Sequence, residues 1–529
     1  MVCMSRMARS ALVRAVAWAA SIAATALPAK AYASADTFGV GDGRDGLLQV
    51  TQPDTIINTA FSALSADATQ GQSTVTVVAV GQFQVGDLVL IWQSTGLTPP
   101  PTSMDGQNRE NLECWKPAGA ASCYTQAGQW ELARIVSTQT TSEAATAGTV
   151  TFDGPLLHSY TATDTQVIKV PQYTSVTIDP GASISLVNAT SGQDFSWNGT
   201  GGGAIAFLSQ GPVSNNGAIN ASANGSRGGA VQNGSLTQLV CPLDDQTPPN
   251  AAAVGEGLVP TAYGQQSAGK NNVSDGAGGG LCQQAGGGGG GNGGTGGNGG
   301  YASALGTPPD NGGLGGAPLQ YTLLDHATFG GGGGAGEENN GAGTSGGAGG
   351  GWIFIRGQSL VGNGKISARG GDVSPPSGGM DGQGGGGAGG SVYLRFIGHA
   401  DCAVVDVSGG NGGSSTGRGV GPGGGGAGGR ALLQATPGGT CTINVGCGLA
   451  GTQADSNAVG GVNYGATPDV ATAGFCQGVT ETPLRTGYCT RNTDCATPTP
   501  ICDTQDGVCV QCMTSMDCMA GQTLSLIHI

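Results

Sequence analysis

Apolar residues in this chain come in short runs bounded by glycine, proline, asparagine and serine, the punctuation of β-strands and not of helices. Ser73–Val80 alternates or runs apolar, and Val85–Trp92 follows after a turn. Trp130–Val136, Thr149–Phe152 and Gln166–Val170 continue the series. Pro- and Gly-bounded β runs at this spacing predict a β-sandwich-like or barrel-like N-terminal domain over residues 36–175. The stretch from Pro99 to Gln126 reads as a long loop that Cys114 and Cys123 are placed to close.

A repeat then sets in over residues 176–450. Paired glycines precede a short apolar strand at Gly203–Leu208, Gly351–Ile355, Gly390–Phe396 and Gly429–Leu433. A second short strand follows at Gly217–Ala221, Gly364–Ala368 and Ala403–Val407. Such units cannot bury an apolar face alone, and stacking them makes one continuous narrow core, as in a parallel β-solenoid. A propeller needs about four strands per copy, and only two are found. The fold expected is mainly β: the N-terminal domain, a solenoid-like repeat carrying a glycine-rich insertion at 230–348, a linker at 451–484, and a small disulfide-rich module at 485–529.

Composition sharpens this. Of 529 residues, 104 are glycine, which has no side chain to bury and loses the most backbone entropy on ordering. From Asn292 to Tyr301 the tract reads Gly-Gly-X, with Asn292, Thr295, Asn298 and Tyr301 three apart. A period of three matches the polyproline-II helix, whose bare edges let neighbours pack closely. The same composition also suits a flexible linker. Both readings, polyglycine-II-like packing and disordered loops, stand at this point.

The first 35 residues read as a secretory signal peptide: Arg6, Arg9 and Arg14, an apolar stretch from Ala15 to Leu27, and small-residue cleavage patterns ending at Ala35. No later apolar run approaches the roughly 20 residues that span a bilayer. Net charge is −15 with few cations, and none are clustered as nucleic acid binding requires. Of 15 cysteines only Cys3 lies in the signal, leaving an even set as an oxidising compartment favours. Disulfide candidates are Cys114, Cys123, Cys241, Cys282, Cys402 and Cys441. At the C-terminus Cys489, Cys495, Cys502, Cys509, Cys512 and Cys518 form a repeat whose second copy is cut short. The closing Leu524–Ile529 departs from the composition, and the chain reads as truncated there. Zinc is the competing use of cysteine, with Cys509-Val510-Gln511-Cys512 the one C-x-x-C.

Catalytic chemistry finds little support. Gly413-Ser414-Ser415-Thr416-Gly417 matches G-x-S-x-G without the strand–elbow–helix context the nucleophile needs. Asp325-His326 reads as a solvated loop pair. Asp401 and Asp406, or Asp372 and Asp381, are conceivable glycosidase carboxylates, and nothing selects among them. Gly370-Gly371-Asp372 and Asp381-Gly382 are fragments of the calcium nonapeptide, not a series. Trp352 and Tyr393 are placed either to stack on sugars or, as first-strand residues, to pack in the core. The expectation is a non-enzyme with no cofactor.

The stretches Phe83–Gln93, Val170–Ile178 and Gly201–Phe207 resemble the glycine-rich surface proteins of myxobacteria and related deltaproteobacteria. Some of that group are labelled adventurous gliding motility proteins. The paired-cysteine repeats at Cys489–Cys518 are similar to those near their carboxyl ends. The resemblance implies the cell surface and motility, and carries over no catalytic residue. The expected role is a secreted, cell-surface structural or adhesive protein with extracellular polysaccharide or other surface proteins as partners. The alternative is a polysaccharide-binding or polysaccharide-cleaving β-helix.

Overall fold

Between residues 61 and 169 the alternating segments close an antiparallel barrel. Its six strands run in the order Phe61–Ala63, Thr165–Lys169, Leu88–Gln93, Trp130–Thr140, Gly148–Phe152, Thr74–Val77. Leu64 bridges Val77, and the amides of Ser65 and Val78 donate to Thr76 and Ala63, so the last strand meets the first. Closure leaves no free edge. Trp130–Thr140 is long enough to turn a corner of the barrel, with a register shift between Ile135 and Ser137 where a bulge bends it. Val75, Val89, Ile91, Val150 and Val167 fill the interior. Leu88, Leu90 and Trp92 alternate to the outside, where they are buried again.

The computed structural model describes residues 39–97, 110–111, 126–140, 146–231, 251–264, 271–282, 284–301, 311–338, 341–373, 381–417, 419–454, 463–467, 473–482, 501–503 and 508–510. All lie in the unit Ala35–Ile529.

The repeat forms a β-solenoid built on two parallel sheets. The long sheet runs through Leu47–Val50, Ser175–Ile178, Ala204–Asn215, Trp352–Val361, Ser391–Phe396, Arg430–Gln434 and Val479–Glu481. The short sheet runs through Ser183–Ser185, Ala218–Asn220, Lys365–Ser367, Val404–Asp406 and Thr442–Asn444. Each later coil supplies one strand to each sheet, which excludes a propeller. Trp352 pairs with Ser391 and Ser391 with Arg430, a step of 39 residues that also separates the bridged Cys402 and Cys441.

Between the sheets Ile205, Ile353, Val392 and Ala431 face Ile219, Ile366 and Val405. Each such side chain contributes about 1.5–3 kcal/mol on burial. The opposite face of the long sheet is buried too: Ala204, Trp352, Phe354, Tyr393 and Leu432 pack on the barrel's Trp92 and Trp130. Two covered faces explain why Trp352–Ile355 reads as an unbroken apolar run.

Two placements differ from the sequence boundaries. Leu47–Val50 lies before the barrel in the chain yet pairs with Ser175–Ile178 in the long sheet. Val479–Glu481, inside the stretch read as a linker, pairs with Arg430–Leu432. Both are short edge segments with no flanking glycine pair to mark them.

The glycine tracts are ordered. Amides 286 and 289 donate to 300 and 297, amides 287 and 290 to 383 and 386, and amides 288 and 291 to 278 and 275. Three neighbours, each met every third residue, define an extended threefold helix whose hydrogen bonds are all external. The same rule holds next door: 330 and 333 donate to 350 and 347, 331 and 334 to 291 and 288, and 332 and 335 to 256 and 253. The later coils feed this bundle through 381–390 and 421–429, where 424 and 427 donate to 287 and 290.

Glycine is required here by space. A Cβ on Gly290 would fall on the carbonyl oxygen of Gly331, and one on Gly286 on that of Pro422. None of glycines 286–291 has positive φ, so crowding, not backbone freedom, selects the residue. Each satisfied amide contributes about 0.5–1.5 kcal/mol net, which offsets part of glycine's large ordering entropy.

Candidate functional site

Where side chains enter the bundle they finish hydrogen bonds that the backbone leaves open. On the outer rows the amides of Ser408 and Gly446 are capped by the carboxylate of Asp406 (3.0 Å) and the amide oxygen of Asn444 (3.1 Å). Asn411 donates its amide to Asp372 and accepts from Leu449, and Ser414 accepts from Thr452. Short polar residues suit these corners because their side-chain oxygens mimic a backbone acceptor two residues on.

One row lies on a single line. Asn220, Ser367, Asp406 and Asn444 are in register on successive strands of the short sheet, at its outward corner. Ala218, Lys365, Val404 and Thr442 run beside them. Neighbouring strands lie about 4.8 Å apart, so the exposed face offers hydrogen-bonding groups at a fixed step.

The buried Glu256 is paired with a guanidinium. Arg227 donates through Nε and Nη2 to the fully buried Glu256 at 3.0 and 2.8 Å, and its guanidinium lies 4.1 Å from the Tyr263 ring centroid. Burial, reinforced by Glu256 nearby, pushes the Asp275 carboxyl up to about 7, against the lowering effect of donors from Leu258 and Ser274. Glu337 is raised by burial and by Asp381 and Glu338, although the Gln284 amide donates to it at 2.6 Å.

A group of titratable residues lies where the barrel meets the bundle. Glu131 is buried, and its carboxyl is pushed up to about 7. It accepts from Tyr160 Oη at 2.9 Å and from the amides of Leu157 and His158. His326 is buried against the Gln129 backbone, with Asp325 Oδ1 3.1 Å from its Nδ1. Burial, followed by the nearby His326, lowers the His158 pKa. Of the Asp325-His326 pair the imidazole is buried, while the Asp325 carboxylate stays half-exposed to solvent. The loop is held by Ala327, whose amide donates to Gly128 and whose carbonyl accepts from Trp92 Nε1 at 2.8 Å.

The remaining sequence candidates are dispersed. Asp372 is ion-paired with Arg369 at 2.6 Å, and Asp401 accepts from Thr440. Asp381 is fully buried in the bundle and accepts from Gln284 Nε2. Ser414 and Ser415 sit in a glycine strand, the Ser415 amide donating to Thr452. Trp352 and Tyr393 are core: Trp352 lies 4.6 Å from Trp92, and Tyr393 stacks on Phe354 at 4.8 Å.

Cys402 and Cys441 are bridged, with Cα atoms 4.6 Å apart, and join the same position of two consecutive coils. Cys447 and Cys476 form a bridge that no spacing pattern had singled out. Cys282 is also disulfide-bonded. Cys502 and Cys509 face each other in the register of the antiparallel pair Ile501–Asp503 and Val508–Val510. Cys114, Cys123, Cys241, Cys489, Cys495, Cys512 and Cys518 lie outside the described residues. Among the described residues no group of histidine, cysteine and acidic side chains is arranged to hold a metal, and no helix is long and apolar enough to cross a membrane.

No family model and no curated protein matches this chain. A solved structure returned by comparison is the Gp54 tailspike of Acinetobacter baumannii bacteriophage AP22, in complex with A. baumannii capsular saccharide. It is 10% identical, with a TM-score of 0.16, over 77% of this chain and 62% of that chain. A likeness at that score carries no argument.

Proposed function

We propose that this protein is a secreted cell-surface scaffold that adheres through its repeat surface, with extracellular polysaccharide or other surface proteins as partners. The observation that carries the reading is the bundle itself. Its hydrogen bonds are satisfied in three directions by backbone, a rigid arrangement that holds surface rows in place. The candidate catalytic acids and hydroxyls serve as caps, ion pairs or bundle contacts, which supports a binding role over a hydrolytic one.

The row Asn220, Ser367, Asp406 and Asn444 supports polysaccharide as the ligand class. Hydroxyl-rich chains are matched by amide, hydroxyl and carboxylate groups at a regular step. The test is to measure binding of the full chain to intact cells, acidic and neutral glycans, and isolated surface proteins, and to look for new reducing ends. Binding without new reducing ends is the expected result. No binding to any of these at micromolar concentration, or release of reducing ends, would overturn the proposal.

A further inference from the structure

Among the described residues neither sheet of the solenoid continues past its C-terminal strand. The short sheet stops at Thr442–Asn444 and the long sheet at Val479–Glu481, each with one edge that no described strand pairs. Core side chains lose their cover there. Val405, Val407 and Leu394 are buried, whereas their counterparts one coil later, Ile443, Val445 and Leu433, are only partly so. Beside them Phe475 is 73% exposed and Leu449 68%. Large exposed apolar groups next to unpaired strand edges mark an association surface. Two disulfides, Cys402–Cys441 and Cys447–Cys476, pin this same end, so the surface is held in shape.

The opposite end has matching chemistry. Leu47–Val50 is the first strand of the long sheet, its outer edge likewise unpaired among the described strands, and Leu47 is 62% exposed. Leu48 and Ile57 are only partly buried against the shared core. Within the chain every contact between long-sheet neighbours along this path is parallel, from Leu47–Val50 through to Val479–Glu481. A second copy whose first strand lies beside Val479–Glu481 continues that contact without reversing a strand.

We propose that the C-terminal end of the solenoid is a docking surface for the N-terminal end of a second copy of this chain. The contact is head-to-tail, so it leaves a free end on each side and propagates into filaments. Strand addition at an edge supplies the backbone hydrogen bonds, and the apolar groups supply the burial. A scaffold of this kind extends by stacking. The inference does not depend on which ligand the surface row takes.

The test is light scattering and negative-stain microscopy of the full chain from low to high micromolar concentration. The expected result is an apparent mass that at least doubles with concentration, and short rods. Leu449→Lys with Phe475→Asp, and separately Leu47→Lys, change exposed residues and should each abolish the rise with unchanged circular dichroism. An equimolar mixture of the two variants retains one intact end of each kind, and should give a twofold mass and nothing larger. A mass that stays monomeric at every concentration overturns the proposal. So does self-association by the Leu47→Lys protein alone, which would show tail-to-tail pairing, or association indifferent to all these changes. A monomer that still binds glycan or cells would sink this inference and leave the adhesive role standing.

Discussion

The amide of Gly290 donates to the carbonyl of Gly386 across 2.9 Å, joining two glycine strands that lie far apart in the chain. Three residues earlier Gly287 makes the equivalent bond to Gln383. This pair of contacts states the rule of the whole bundle: a threefold backbone, neighbours on every side, and no room for a side chain between them.

Substitution at Gly290 should therefore be severe. A Cβ there meets the Gly331 carbonyl, which is backbone and cannot rotate away. Gly290→Ala is expected to destabilise by about 1–3 kcal/mol or more, as overpacking does. Gly81→Ala, at a glycine with nothing within 4 Å of its Cβ position, is the control and should leave the melting temperature nearly unchanged. Thermal melts of both variants check this, and equal effects would contradict it.

The staple between Cys402 and Cys441 joins two consecutive coils near the C-terminal end of the solenoid. Replacing both cysteines with alanine should cost about 2–4 kcal/mol, the usual range for a native bridge. Hydrogen exchange should rise first in Thr442–Asn444 and Arg430–Gln434. Uniform loosening across the barrel as well would count against a local staple.

Trp352 belongs to a seam of rings that includes Trp92, Trp130 and Phe354. Trp352→Ala should cost about 3–5 kcal/mol, as large-to-small core changes do. Saturating glycan should leave the tryptophan emission of the unmodified protein unchanged. A glycan-dependent shift would place an indole in the binding surface instead.

Stability should also depend on pH through Glu131. Its folded pKa of about 7 lies above the ordinary glutamate value of 4.5, so its contribution is full below that ordinary value and is lost as pH rises through about 7. The loss amounts to about 3 kcal/mol by linkage. Asp275 acts in the same direction. His158, whose pKa is lowered, works the other way and weakens the fold as pH falls. Melts at mildly acidic and mildly alkaline pH should show an alkaline drop that Glu131→Gln reduces. An identical drop in both proteins would remove Glu131 as the cause.

Much of this architecture was legible from residues alone. Gly351–Ile355, Gly390–Phe396 and Gly429–Leu433 announced the coils because a glycine pair sits before each apolar strand. The step between them gave the stacking. Leu47–Val50 and Val479–Glu481 were not legible, since an edge strand needs only a few residues and its partner is chosen by position in space. The Asn220–Ser367–Asp406–Asn444 row was hidden because three residue types, Asn, Ser and Asp, occupy it and none recurs at every coil. The burial of His326 was not legible because it comes from the neighbouring Ala327 contacts to Gly128 and Trp92, while Asp325 beside it stays half-exposed as its polarity suggests. For the glycine tracts composition could not separate order from disorder. The difference lies in the neighbours, which the tertiary fold alone supplies.

The most direct measurement is amide hydrogen exchange, resolved by residue, across glycines 286–291 and 330–334 in the native protein. If these strands form the bundle, their amides exchange slowly, with protection comparable to that of Ile353 and Val392 in the long sheet. Exchange at the rate of an unstructured peptide would show that the tracts are loose connections, and the scaffold described here would not exist.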